Sequence, residues 1–123
     1  MIRGQLASNG QALVALTLRG PSGAHRAVSA LVDTGFSEFL ALPESLITDL
    51  GLPYVDTHLA ILADNSLVEA HVCECQVLWG DEYRDVLAHQ MAGGPVIGMS
   101  LLRGHRLTVD VIEGGDVTIS ALA

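Results

Sequence analysis

Short apolar segments rich in β-branched residues alternate with turn sequences from one end of the chain to the other. This pattern is typical of strands joined by tight turns. Asn9-Gly10 is the pair favoured in two-residue hairpin turns, and the Gly-Pro-Ser-Gly sequence at 20–23 marks a second turn. The 123 residues are enough for one compact domain. We therefore predict a single all-β domain that spans residues 1–123.

The spacing of these segments also predicts two short helices. Pro43 and Gly51 bound a helix over Glu44–Leu50, because Pro fits the first helical turn and Gly fits the position after the last. A one-turn helix is expected at 99–103. The expected strands are 2–7, 12–18, 27–32, 58–62, 67–79, 83–89, 105–112 and 117–121, with short buried apolar segments at 39–42 and 95–97. Such a chain would form a small closed barrel.

Charge excludes several classes of partner. The net charge is −8, and all six basic residues are scattered arginines. Nucleic-acid binding needs a basic patch that neutralises phosphates, so no nucleic acid is expected. An anionic membrane surface is disfavoured for the same reason. No apolar run approaches the ~20 residues of a membrane span, and the N-terminal sequence lacks the apolar stretch of a signal peptide.

The two cysteines, Cys73 and Cys75, lie two residues apart on an expected strand. They would point to the same face, which is poor geometry for a mutual disulfide. A reducing, cytoplasmic setting is therefore expected. A metal site at this pair would need two more ligands at a standard spacing, which the sequence lacks, and the five histidines show no metal spacing. No metal and no organic cofactor are expected.

An Asp-Thr-Gly motif at 33–35 follows the apolar strand Val28–Val32 directly. A carboxylate at the end of a buried strand is costly unless it is hydrogen-bonded or serves chemistry. Gly35 allows the backbone to turn sharply there. The simpler interpretation of Asp33 is a turn residue that caps a loop before Phe39.

The segment Ala-Leu-Val-Asp-Thr-Gly-Phe-Ser at 30–37 resembles the active-site motif of the retropepsins, the retroviral-type members of the pepsin clan of aspartic proteases. The sequence Val-Ile-Gly-Met-Ser-Leu-Leu at 96–102 resembles the apolar-apolar-Gly segment that leads into a short helix in that family. The order of motif, helix, long hairpin, strand and second segment also fits, with the prokaryotic soluble branch closer than the viral one. The resemblance implies a closed barrel that is active as a homodimer.

The resemblance further implies a mechanism. Two Asp33 carboxylates, one from each chain, would share a proton, since two like charges so close do not both ionise easily. One would act as general base on a water and the other as general acid on the scissile carbonyl. The Thr34 hydroxyl would bond to the backbone near Val32 of the other chain. The supporting residues implied in this way are Val32, Thr34, Gly35 and Gly98.

The implied substrate is a peptide in extended conformation with bulky apolar side chains. The hairpin around Asp64 and Asn65 matches the family's flap by position, although its Ala-Asp-Asn-Ser tip at 63–66 is not glycine-rich. Asp64 could equally be a plain turn residue. The implied substrate contacts are Gly35, Phe36, Ser37, Ala63, Asp64, Asn65 and Ile97.

A second departure concerns the dimer. Viral members place an acidic residue and an arginine where this chain has Ser37 and Met99. Both partners are absent together, so no buried charge is left unpaired. Apolar contacts and a sheet of terminal strands, with Val117–Ala121 as the candidate strand, would then hold the dimer.

The sequence thus predicts an aspartic endopeptidase with Asp33 as its catalytic residue. Two other interpretations of the sequence stay open. One is a catalytically weak or silent dimerisation or peptide-binding module on the same fold, which the altered hairpin tip and the Ser37 and Met99 positions would suit. The other is a plain β-barrel domain with no site shared between chains.

Overall fold

The computed structural model describes residues 1–61 and 64–123. In these residues the strands are β1 Ile2–Leu6, β2 Ala12–Arg19, β3 His25–Val32, β4 Leu40–Leu42, β5 Tyr54–Ile61, β6 Leu67–Trp79, β7 Glu82–Gln90, β8 Val96–Ile97, β9 His105–Val109 and β10 Asp116–Ala121. The helices are α1 Glu44–Leu50 and α2 Met99–Leu102. Within the described ranges, neither helix is long and apolar enough to cross a membrane.

Six of the strands close into a barrel in the order β6-β7-β4-β8-β3-β2. Closure comes from β2, which pairs with β3 over Leu13–Arg19 and with β6 over Thr17–Arg19. β5 extends the sheet beyond β6, and β1, β10 and β9 extend it beyond β2. The predicted all-β closed barrel with two short helices is therefore confirmed.

The barrel interior is filled by side chains that alternate along the strands, as expected for strands with one buried face. The largest fully buried side chains include Leu18, Leu42 and Leu101. Cys73 and Cys75 both lie in this core as free thiols. Burial raises the pKa of Cys73 to about 11 and that of Cys75 to about 12, so both remain protonated and unreactive at neutral pH.

Helix α1 has the predicted bounds. It begins after Pro43, which is extended, and it ends at Gly51, whose positive φ of 62° suits a residue without a Cβ. Its buried residues are Leu46, Ile47 and Leu50, which pack against the core. A proline that cannot continue a strand and a glycine that ends a helix are strong local signals, and they act here as expected.

The prediction for the terminal strand was wrong. β10 is paired on one edge with β1 and on the other with β9, so neither edge can accept a second copy of the chain. β9 ends the sheet on this side instead. It also stops at Val109, after which the chain turns: the Ile112 N–H donates to the Asp110 carbonyl and the Gly115 N–H donates to the Ile112 carbonyl.

Candidate active site

The Asp-Thr-Gly motif comes directly after β3, whose last residues belong to the core. Ala30 and Val32 are buried, whereas Asp33 is exposed where the strand ends. The Asp33 backbone N–H donates to the Ile97 carbonyl of β8 at 3.0 Å. The buried strand and this hydrogen bond together fix the point at which the carboxylate leaves the barrel.

A tight turn then orients the Asp33 side chain. The Gly35 N–H donates to Asp33 Oδ1 at 2.8 Å, and the Phe36 N–H donates to the Asp33 carbonyl at 3.1 Å. The side-chain bond is the local one that aspartate commonly makes two residues ahead in turns. Asp33 Oδ2 has no hydrogen-bond partner in the described part of the chain, so it remains available to another group.

Gly98 packs against the loop that carries the motif. β8 lies between β3, to which it is parallel, and β4, to which it is antiparallel. The C-terminal end of β8 therefore lies against the loop. A Cβ added to Gly98 there would lie 2.0 Å from the Glu38 carbonyl oxygen. The Gly98 N–H donates to the Phe39 carbonyl at 3.0 Å, and the Met99 N–H donates to the Phe36 carbonyl at 2.7 Å. This approach leaves room for glycine alone.

The two positions that differ from the viral pattern lie on the motif loop, at Ser37, and on the first residue of α2, at Met99. Ser37 is exposed, and its carbonyl accepts a bond from the Ser100 hydroxyl at 2.6 Å. The Met99 side chain is 47% exposed. The loop is thus tied to α2 by a neutral hydrogen bond, and an apolar side chain stands at its surface.

A groove of about 700 Å³ lies beside the motif. Gly35, Phe36 and Ser37 line one side, and their contact with substrate stays a prediction. The remaining walls come from β5, β6 and the end of β7, with a mixture of apolar and polar side chains. Its other lining residues are Glu38, His58, Leu59, Val68, Glu69, Ala70, His89, Gln90, Met91 and Ala92.

The other predicted contacts lie elsewhere. Ile97 is fully buried in the core, so its predicted contact with substrate was wrong and its side chain supports the loop instead. Asp64 and Asn65 sit at the hairpin turn and do not line the groove. Asp64 accepts from the Ser66 hydroxyl and N–H, and these bonds lower the pKa of its carboxyl. Ala63 lies outside the described residues.

Two histidines of the groove were missed by sequence reasoning. His58 Nδ1 lies 3.3 Å from His89 Nε2, and His58 Nε2 lies 3.1 Å from Asp56 Oδ2. The Thr57 N–H and His58 together lower the pKa of the Asp56 carboxyl, which is therefore ionised. The two histidines are 31 positions apart, so no local sequence signal could have joined them. The register of β5, β6 and β7 would have been needed.

No group of three or more histidine, cysteine or acidic side chains within residues 1–61 and 64–123 is arranged to hold a metal ion.

The closed barrel, the motif at the end of β3 and the glycine packed against it can be compared with solved structures. The model superimposes on the crystal structure of a retropepsin-like aspartic protease from Rickettsia conorii with a TM-score of 0.62. The chain has a retropepsin-like fold. The match covers 98% of this chain and 90% of that one, at 20% sequence identity. No family model and no curated protein matches the sequence. The likeness therefore lies in the arrangement of the strands, since the two sequences are only 20% identical.

Proposed function

We propose that the protein is an aspartic endopeptidase whose catalytic dyad is formed by Asp33 from two copies of the chain. The observation that carries the proposal is an exposed Asp33 at the end of a buried strand, beside a groove, in a retropepsin-like fold. The chain holds one Asp-Thr-Gly motif and therefore half of a dyad. A two-fold symmetric dimer would complete it.

The chemistry follows from pairing two carboxylates. The ionised Asp33 takes a proton from a water, which attacks the peptide carbonyl carbon, while the protonated Asp33 donates its proton to the carbonyl oxygen. The pKa values that govern this reaction belong to the pair. Thr34 is exposed, which suits a hydroxyl that bonds to the backbone near Val32 of the other copy. No metal or cofactor takes part in this scheme.

The groove supports an extended peptide with bulky apolar side chains as substrate. Phe36, Leu59, Val68 and Met91 present apolar surface along it. Peptide backbone between these walls could bond to the exposed Gly35 carbonyl. Burial of such side chains supplies binding energy of about 1.5–3 kcal/mol each.

Apolar surface and a free strand edge support the dimer. Met99 is exposed next to the motif, and Val111 and Ile112 are strongly exposed after β9. β9, which ends the sheet, replaces β10 as the candidate strand for pairing between copies. The proposal includes one domain over residues 1–123 and a cytoplasmic setting, which the two free buried thiols suit.

The proposal predicts hydrolysis of a peptide library between about pH 4 and about pH 7, with most activity on the acid side, because one member of the dyad must stay protonated. A statine-type transition-state mimic should abolish it, since its hydroxyl takes the place of the attacking water between the two carboxylates. Peptide cleavage is followed by mass spectrometry with and without the mimic. Tight peptide binding without turnover, insensitive to the mimic, would favour the silent binding module instead.

A further inference from the structure

A chain of polar side chains crosses the wall of the groove from β5 to β7. Asp56 Oδ2 contacts His58 Nε2 at 3.1 Å, and His58 Nδ1 contacts His89 Nε2 at 3.3 Å. β6 lies between β5 and β7 in the sheet, so no backbone hydrogen bond joins these two strands. The imidazole pair is therefore a side-chain bridge between β5 and β7. A second such bridge is at the start of β5, where the Tyr54 hydroxyl donates to Gln90 Oε1 at 2.6 Å.

When both rings are neutral, these contacts are compatible with one placement of the protons. An ionised carboxylate accepts, so His58 carries its proton on Nε2 and donates it to Asp56. Neutral His58 then presents the lone pair of Nδ1, and His89 donates its Nε2–H to it. His89 Nδ1 is left without a proton and, among the described residues, without a hydrogen-bond partner. This state has one good N–H···N bond and no charge on either ring.

His89 also reaches the loop that carries the Asp-Thr-Gly motif. The His89 residue is 7% exposed, and its ring meets the Phe36 ring edge to face, with centroids 6.4 Å apart and planes at 89°. Phe36 in turn accepts the Met99 N–H at its carbonyl. One continuous set of contacts thus links β5 to the loop directly after Asp33.

We propose that His58 and His89 are positioning residues of the groove: their N–H···N bond holds β5 beside the Asp33 loop, and β5 is released when both rings are protonated. Neither residue has to touch the reacting atoms for this role. The positioning role of the two histidines rests on the proposed function, whereas the hydrogen bond between them can be measured without catalysis.

Proton counting gives the direction of the pH dependence. One excess proton can be shared between the facing nitrogens, whereas two excess protons place an N–H on each and destroy the bond. Burial lowers the pKa of His89 below 6.5, Glu38 opposes this and His58 adds to it. The other charged groups near the pair are Asp56 on β5, which contacts His58, and Glu69 on β6, which lines the same groove.

The folded protein should lose stability in acid. Because the pKa of His89 is lower in the folded protein, its contribution to stability is complete above 6.5 and falls as the pH drops toward the folded value. Acid therefore both destabilises the native pairing and frees β5. A looser groove weakens binding of the substrate ground state and of the transition state by the same amount. KM should therefore rise while kcat changes little.

Hydrogen exchange in an Asp33→Asn background tests the bridge without activity. Three proteins are compared at about pH 7 and about pH 5, on either side of a histidine titration: the Asp33→Asn parent, the parent with His58→Gln and the parent with His58→Leu. Gln keeps a neutral acceptor for the His89 N–H, whereas Leu has similar size and no hydrogen bond. Position 58 is partly exposed, so both variants should fold, which circular dichroism checks.

Amide exchange of residues 54–61, corrected for the intrinsic effect of pH, should separate the three. At the higher pH the Leu variant should exchange about tenfold faster than the parent, the size expected for one hydrogen bond, and the Gln variant should resemble the parent. At the lower pH the parent should approach the Leu variant, while the Gln variant stays protected. His25→Gln, which removes an exposed histidine at the start of β3, serves as the matched control and should change nothing.

Equal pH dependence of β5 exchange in all three proteins would overturn the bridge, whatever the activity of the wild type. If the wild type hydrolyses peptides, the rise of KM in acid should be flattened by His58→Gln with kcat preserved, and a rise equal to that of wild type would overturn the positioning role. Absence of hydrolysis would count against the proposed function and would leave the exchange result to decide on the bridge.

Discussion

The Asp33→Asn protein is expected to fold like the wild type and to hydrolyse peptides about 10²–10⁴-fold more slowly, the range that a lost general acid or base usually costs. Asn has nearly the same shape, and its Oδ1 can still accept the Gly35 N–H that now bonds to Asp33 Oδ1 at 2.8 Å. The turn is therefore preserved while the proton-transfer chemistry is removed. Initial rates on the best library peptide, with circular dichroism of both proteins, measure the two effects separately.

Asp81→Asn is the matched control for this substitution. Asp81 is an exposed residue in the turn between β6 and β7 and lies outside the groove, so the same chemical change should leave the rate within twofold of wild type, roughly the ±0.5 kcal/mol of an ordinary surface substitution. Wild-type rates in purified Asp33→Asn protein would remove Asp33 from the mechanism. A similar loss in both variants would point to a general effect of charge.

Gly98→Ala is expected to lower the free energy of unfolding by about 3–5 kcal/mol. The added Cβ would lie 2.0 Å from the Glu38 carbonyl oxygen and 2.8 Å from the Phe36 carbonyl oxygen, so backbone has to move. Overpacking costs about 1–3 kcal/mol, and the bonds from the Gly98 and Met99 N–H groups to the loop are worth about 1 kcal/mol each. This sum is a large share of the 5–15 kcal/mol that typical domains have. Denaturant unfolding followed by tryptophan fluorescence of Trp79 measures the loss.

Gly94→Ala is the control for the glycine substitution. A Cβ at Gly94 would meet no heavy atom within 4 Å, and its backbone is not in the left-handed region, so stability should change by less than about 0.5 kcal/mol. The difference between the two variants isolates the close approach at β8 from the general effect of replacing glycine. Equal stabilities for both variants would contradict the packing of Gly98 against the Asp33 loop.

The elements with strong local signals were predicted well from the sequence. Helix α1 has the bounds that Pro43 and Gly51 indicated, and β6 spans Leu67–Trp79 as expected from its turn signals. The resemblance implied that Gly98 supports the motif, and the structure packs this glycine against the Asp33 loop. For these elements, local turn and helix signals and the family motif were sufficient to predict the structure.

The remaining features depend on strand register, which the sequence does not reveal. β10 has the alternation expected of a terminal strand, but its pairing with both β1 and β9 arises from the order of strands in the sheet. The resemblance implied that Ile97 contacts substrate, yet its side chain is buried in the core. His58 and His89 meet only because β5, β6 and β7 lie side by side. Each of these outcomes is a long-range consequence of packing.

Release of β5 in acid would act in the same pH range as the proposed dyad. The dyad needs one protonated carboxylate, which favours acid, whereas the His58–His89 bond needs at least one neutral ring. At low substrate concentration, hydrolysis would then decline in acid through the rise of KM and decline at higher pH through loss of the shared proton of the carboxylates. A His58→Gln protein should extend its activity to lower pH than the wild type.

The most direct test is a crystal structure of the protein with a statine-type inhibitor, because it shows the spacing of the two carboxylates. The proposed mechanism predicts a two-fold symmetric dimer in which both Asp33 side chains lie within hydrogen-bonding distance of the inhibitor hydroxyl. Asp33 carboxylates that lie far apart in every assembly of the crystal, with the inhibitor bound elsewhere, would contradict it.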